Sequence, residues 1–128
     1  MPSFGTLKAD TLTHSTAGSL ATNFVVNGSA KAWITYKGTS TNAIMESLNM
    51  SGVVDNGTGD YTMSFTNSMN TAEYNIVDGT ERLENNNSPG ITGFETTGTG
   101  SYIHNNWNSG FSVSDMFRTF SQVHGDLA

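Results

Sequence analysis

Apolar and polar residues alternate with period two along several short stretches of this chain, while helical spacing is nearly absent. Residues 61–66 are the clearest case, with Tyr61, Met63 and Phe65 on one side and Thr62, Ser64 and Thr66 on the other. Residues 50–54 read as the partner strand. The intervening Asn56-Gly57 is the strongest short-range hairpin signal and predicts a type I′ turn centred on that pair. Residues 32–36 and 74–77 read as further strands, ended by Lys37-Gly38 and Asp78-Gly79. Residues 43–50 admit a short helix capped by Thr41 or Asn42, but flanking Gly38 and Gly52 favour a strand.

Residues 91–96, 101–104 and 116–123 complete the predicted strands. The last has apolar residues on both faces, which places it in a sheet interior or at a subunit contact. Residues 82–89, with three consecutive asparagines, read as an exposed loop, and 104–110 as a second one. Many short strands at close spacing predict an antiparallel sandwich or barrel, and the fold expected over residues 29–128 is an all-β, antiparallel β-sandwich or jelly-roll-like domain. Residues 1–28 differ. Leu7, Leu12, Leu20 and Phe24 are spread among small polar residues, a pattern expected of an extended arm that attaches to another surface.

Composition sharpens this picture. Almost half of the 128 residues are Gly, Ser, Thr or Asn, and only 12% are charged. Such a chain gains little from burying one copy's apolar side chains, whereas ordering each residue's backbone costs about 1–2 kcal/mol. Association between copies is the simplest remedy, and an obligate oligomer is expected. A net charge of -6 with five basic residues argues against nucleic acid as a partner. The absence of cysteine excludes disulfides, thiolate metal sites and a cysteine nucleophile. No secretory signal and no run long enough for a membrane helix is present, so synthesis in a cytoplasm without membrane insertion is expected.

Candidate chemistry is sparse. Serines are plentiful, but none stands in a nucleophile elbow, and no enzymatic activity or cofactor is expected. Asp55 and Asp60 flank a glycine turn without the alternating acids of a calcium loop. His14, His104 and His124 lack the spacing of a metal pair. Trp33 lies in an alternating strand and reads as core or interface packing. Trp107 differs, because it stands among Asn105, Asn106 and Asn108. A flat aromatic beside amide donors and acceptors suits stacking on a sugar ring; the competing reading is a tryptophan buried to anchor a loop.

Ala30-Lys31-Ala32-Trp33, then Lys37-Gly38-Thr39, then the run from Asp55 to Thr62 resemble the C-terminal domain of tail-fibre and related virion proteins of marine bacteriophages and prophages. The resemblance covers residues 28–80 well and 90–128 loosely. The terminal Val123 to Leu127 is similar to that family's closing strand, and the first thirty residues to its attachment leader. Thr39-Ser40-Thr41 replaces a glycine-bearing stretch of the family, and residues 105–111 have no counterpart in it. What the resemblance implies is a virion structural protein, a short homotrimeric fibre or fibre tip involved in host attachment. Its implied partners are further copies of itself, another virion protein and a host-surface glycan. The alternative is a capsid decoration (cement) or head-fibre protein that braces the shell and binds no receptor.

Overall fold

The computed structural model describes residues 9–81 and 90–128. The predicted loop at 82–89 and Leu7 lie outside them. The described residues form ten strands and one short helix: β1 (Thr11–His14), β2 (Gly18–Ala21), α1 (Thr22–Gly28), β3 (Ala32–Lys37), β4 (Ala43–Leu48), β5 (Met50–Gly57), β6 (Asp60–Phe65), β7 (Asn75–Glu81), β8 (Gly90–Thr97), β9 (Ser101–Asn108) and β10 (Arg118–His124). The fold is all-β, and every pairing between these strands is antiparallel. Residues 43–48 form a strand, as their flanking glycines favour.

Eight strands make two four-stranded sheets, ordered β4-β3-β10-β7 and β5-β6-β9-β8. β10 is therefore interior to its sheet, as expected of a strand with apolar residues on both faces. Its Phe120 points outward over Gly79, where an added Cβ would sit 2.5 Å from the ring, while Val123 points into the core. An aromatic lying across the bare backbone of its cross-strand partner covers what glycine leaves open.

Both sheets contribute to one core. Ala32, Ile34 and Tyr36 from β3 and Val123 from β10 meet Tyr61, Met63 and Phe65 from β6 and Tyr102 from β9. Each fully buried large apolar side chain contributes roughly 1.5–3 kcal/mol. Aromatic pairs tie the layer together, with ring centroids 5.0 Å apart for Tyr36 and Tyr61 and 5.7 Å for Phe65 and Tyr102. At the C-terminus, Met69 and Leu127 form an isolated antiparallel bridge, and the Asn70 amide donates to the Asp126 carbonyl at 2.8 Å.

Two expectations about local geometry are corrected. The β5–β6 turn falls at Thr58-Gly59 rather than Asn56-Gly57, because Gly57 pairs with Asp60 and Asn56 is the extra residue of a bulge. Gly59, at φ 71°, supplies the left-handed conformation the turn needs. The N-terminal segment is not extended over residues 9–28. β1 and β2 form a hairpin with Leu12 opposite Leu20, followed by α1. No residue of α1 is buried, and Leu12, Leu20 and Phe24 are all exposed.

Candidate binding cleft

β9 carries the residues from which the site is built, and its alternation decides which of them reach solvent. Tyr102, His104 and Asn106 point inward and are 0–1% exposed, whereas Ile103, Asn105 and Trp107 take the opposite face, where Asn105 is still 8% exposed and Ile103 and Trp107 are half-buried. The predicted loop at 104–110 is thus mostly strand. Asn106 faces the core and offers nothing to a ligand outside it. Asn108 Oδ1 accepts the amides of Gly110 and Ser112 at 2.8 and 3.2 Å and holds the turn that follows. Trp107 is neither fully buried nor fully exposed.

The inward residues join a polar network that links the sheets. Tyr36 on β3 lies 3.2 Å from His104 Nδ1, and His104 Nε2 lies 3.0 Å from the Asp78 carboxylate on β7. With Nε2–H donating to Asp78, Nδ1 accepts from the Tyr36 hydroxyl. Asn106 Nδ2 donates to the Tyr36 oxygen at 3.0 Å. Nearby, Tyr61 donates to Asp115 at 2.7 Å, and the Tyr102 and Ser121 hydroxyls are bonded at the other end of the core. Sequence reading weighed His104 only as a metal ligand and a strand end; its spacing from Tyr102 and Asn106 is the period-two signal that would have placed it in the core.

Burial pushes the Tyr102 hydroxyl up to about 12, and it pushes those of Tyr36 and Tyr61 upward as well. Burial also works to raise Asp78, but hydrogen bonds from His104 and Thr92 outweigh it and hold the carboxyl below its usual value. A lowered carboxyl stabilises the fold above its unfolded pKa, and that contribution fades as pH falls through the folded value. A raised tyrosine contributes below its unfolded value of about 10 and loses that contribution as pH climbs beyond it. Thermal melts across pH should therefore give a plateau from about 5 to about 9.5, falling on both sides, with the acid limb shallower in Asp78→Asn.

The outward residues form the cleft. Gly57, Asp60, Asn105 and Gly93 lie in one cross-strand row over the second sheet. Trp107, two residues beyond Asn105, leans over Gly93, where a Cβ would come within 3.1 Å of the indole. After the Asn108 turn the chain folds back, so that Val113 bridges to Trp107 and the Ser114 amide donates to the Asn106 carbonyl at 3.1 Å. Asn56, Gly57, Thr58, Asp60, Phe94, Asn105, Trp107 and Val113 line an open cleft of about 480 Å³. That volume is within the roughly 300–1,000 Å³ of small-molecule sites. Of the four residues sequence reading singled out, Trp107 and its three asparagines, Asn105 and Trp107 line the cleft; Asp60 and Val113 are additions that only the fold reveals.

The β5–β6 turn closes one side and leaves no tolerance at Gly59. Its carbonyl accepts the Asn106 amide at 2.7 Å and its own amide donates to Asp115 at 2.8 Å. A Cβ there would lie 2.5 Å from the Asn106 carbonyl and 2.8 Å from the Ser114 nitrogen. Gly59→Ala combines that clash with a left-handed φ and should cost about 2–3 kcal/mol in denaturant unfolding. Compared with known proteins, the chain matches no family model, no curated protein and no solved structure.

Proposed function

We propose that this chain is a homotrimeric bacteriophage virion module, a short fibre or fibre tip, whose β-sandwich domain contacts a host-surface glycan through the cleft beside Trp107. The virion setting rests on the likeness of residues 28–80 to tail-fibre domains. The contact rests on one observation: an indole held half-buried over Gly93, beside the Asp60 carboxylate and the amides of Asn56 and Asn105. An indole face stacks on the C–H face of a sugar ring, while carboxylate and amide groups bond its hydroxyls. The sandwich reading is supported by the core drawn from both sheets.

Support for the trimer comes from the outer face of the first sheet. Leu48, Trp33, Gln122 and Val77 lie in one cross-strand row, with Phe120 in the next. Leu48, Val77 and Phe120 are 49%, 57% and 47% exposed. Lys37, Arg118 and Glu81 border this patch, and both cations lie over the Phe117 ring. An apolar centre with a charged rim is the make-up of a subunit contact. Exposed Leu12, Leu20 and Phe24 provide the surface for docking on another virion protein. The same residues favour a second reading, capsid decoration, which needs a docking surface and no cleft.

Binding of the fluorescently labelled chain to host cells tests the choice. Attachment predicts saturable binding that Trp107→Ala weakens about tenfold or more while the trimer persists. Wild-type protein that ignores the cells but joins particles supports decoration instead.

A further inference from the structure

The charge around the cleft restricts which sugar fits it. Among the described residues lining it, Asp60 alone is charged. Two more carboxylates brace the same hairpin tip. Asp55 Oδ1 accepts the Gly57 amide at 3.0 Å, and Asp115 Oδ1 accepts the Gly59 amide. Of the described cations, Lys37 and Arg118 lie on the other sheet, and Lys31 bonds to Ser29 and the Val26 carbonyl at the end of α1. The tip therefore carries three carboxylates and no cation among the described residues.

Asp60 is also held in place. Asn56 Nδ2 donates to Asp60 Oδ1 at 3.1 Å and to Thr62 Oγ1 at 2.9 Å, which ties the bulge residue to the outward face of β6. One carboxylate oxygen is thus oriented by the protein, and the group retains lone pairs for two further donors. Asn105, its cross-strand partner, and Trp107, diagonal to it, complete a surface with an apolar plane on one side and acceptors on the other.

We propose that the cleft takes an uncharged pyranose, its C–H face on Trp107 and two adjacent hydroxyls on the Asp60 carboxylate, and that Asp60 turns away sugars bearing a carboxylate. The inference rests on the glycan contact proposed above and names its ligand class. A sugar carboxylate would have to shed water against a like charge with no cation among the described residues to meet it, which selects by repulsion as much as by attraction. A hexose hydroxyl, by contrast, donates to the carboxylate in a charge-assisted hydrogen bond.

The test uses matched ligands that differ only at C6. Saturation-transfer NMR on the full chain would compare methyl glucoside and methyl galactoside with methyl glucuronide and methyl galacturonide, and with the methyl esters of those uronides. At least one hexoside should bind about tenfold more tightly than its uronide, and the ester, equal in bulk but uncharged, should recover that affinity. Asp60→Asn should weaken the hexoside several-fold and bring the hexoside-to-uronide ratio near one. A uronide that binds wild type as well as its hexoside overturns the proposal, as does an ester that binds no better than the free acid. An unchanged ratio in Asp60→Asn overturns the role of Asp60. Absence of transfer to every sugar overturns the glycan contact itself.

Discussion

Replacing His104 with alanine is expected to cost about 3 kcal/mol of folding stability, more than any other single change in the core's polar network. Its ring is fully buried and lies between the Tyr36 hydroxyl and the Asp78 carboxylate. Removing it opens a cavity and deprives the buried Tyr36 hydroxyl of its acceptor, two penalties that add. For a domain of this length the loss corresponds to roughly 10 °C in melting temperature. Asp78→Asn should cost less, since an amide still accepts from His104 and the residue lies nearer the surface. Scanning calorimetry on both variants checks the order. If His104→Ala melts within 2–3 °C of wild type, roughly the shift of 1 kcal/mol, the network does not hold the sheets together.

Placing a charge at the centre of the first sheet's outer face should break the proposed trimer. Phe120→Glu sets a carboxylate where the proposed contact is driest, and a single unpaired buried charge weakens association by about 3–5 kcal/mol, a factor of more than a hundred. Phe120 also covers Gly79, so part of its effect falls on folding. Val77→Glu separates the two, because Val77 is more than half exposed on β7 at the edge of the sheet. Sedimentation should show monomers for both variants at micromolar concentration, with the Val77→Glu monomer keeping its β signal. Trimers that persist in both would move the interface to another face.

Much of the fold was legible because it depends on local alternation. Tyr61, Met63 and Phe65 read as one buried face, and that face is the centre of the core. The second half of β9 was misread for a physical reason. Asparagine clusters ordinarily mark loops, but here the core is polar at one end, and Asn106 enters it to bond Tyr36. The Asn56-Gly57 turn was displaced by two residues. The chain places left-handed backbone at Gly59, where contacts to Asn106 and Ser114 from distant sequence forbid any side chain. Those contacts carry no local signal. The hairpin β1–β2 was hidden because its apolar residues are few and stay exposed.

The cleft was half legible. Trp107 and Asn105 stand out as an aromatic among amides, and composition alone suggests a sugar contact. Asp60 and Gly93 join them only through register, Asp60 opposite Asn105 from β6 and Gly93 opposite it from β8. Pairing across strands so far apart in sequence is set by the whole sheet.

Two tryptophans make the central claim directly measurable. Each gives one indole N–H signal in a nitrogen-15 correlation spectrum, and Trp33→Phe assigns them. Trp33 lies on the outer face of the first sheet and Trp107 on the second. Titrating the protein with the methyl hexosides should move the Trp107 signal saturably and leave Trp33 in place. A Trp33 signal that moves while Trp107 does not, or two signals that stay fixed through saturating sugar, would contradict attachment through this cleft.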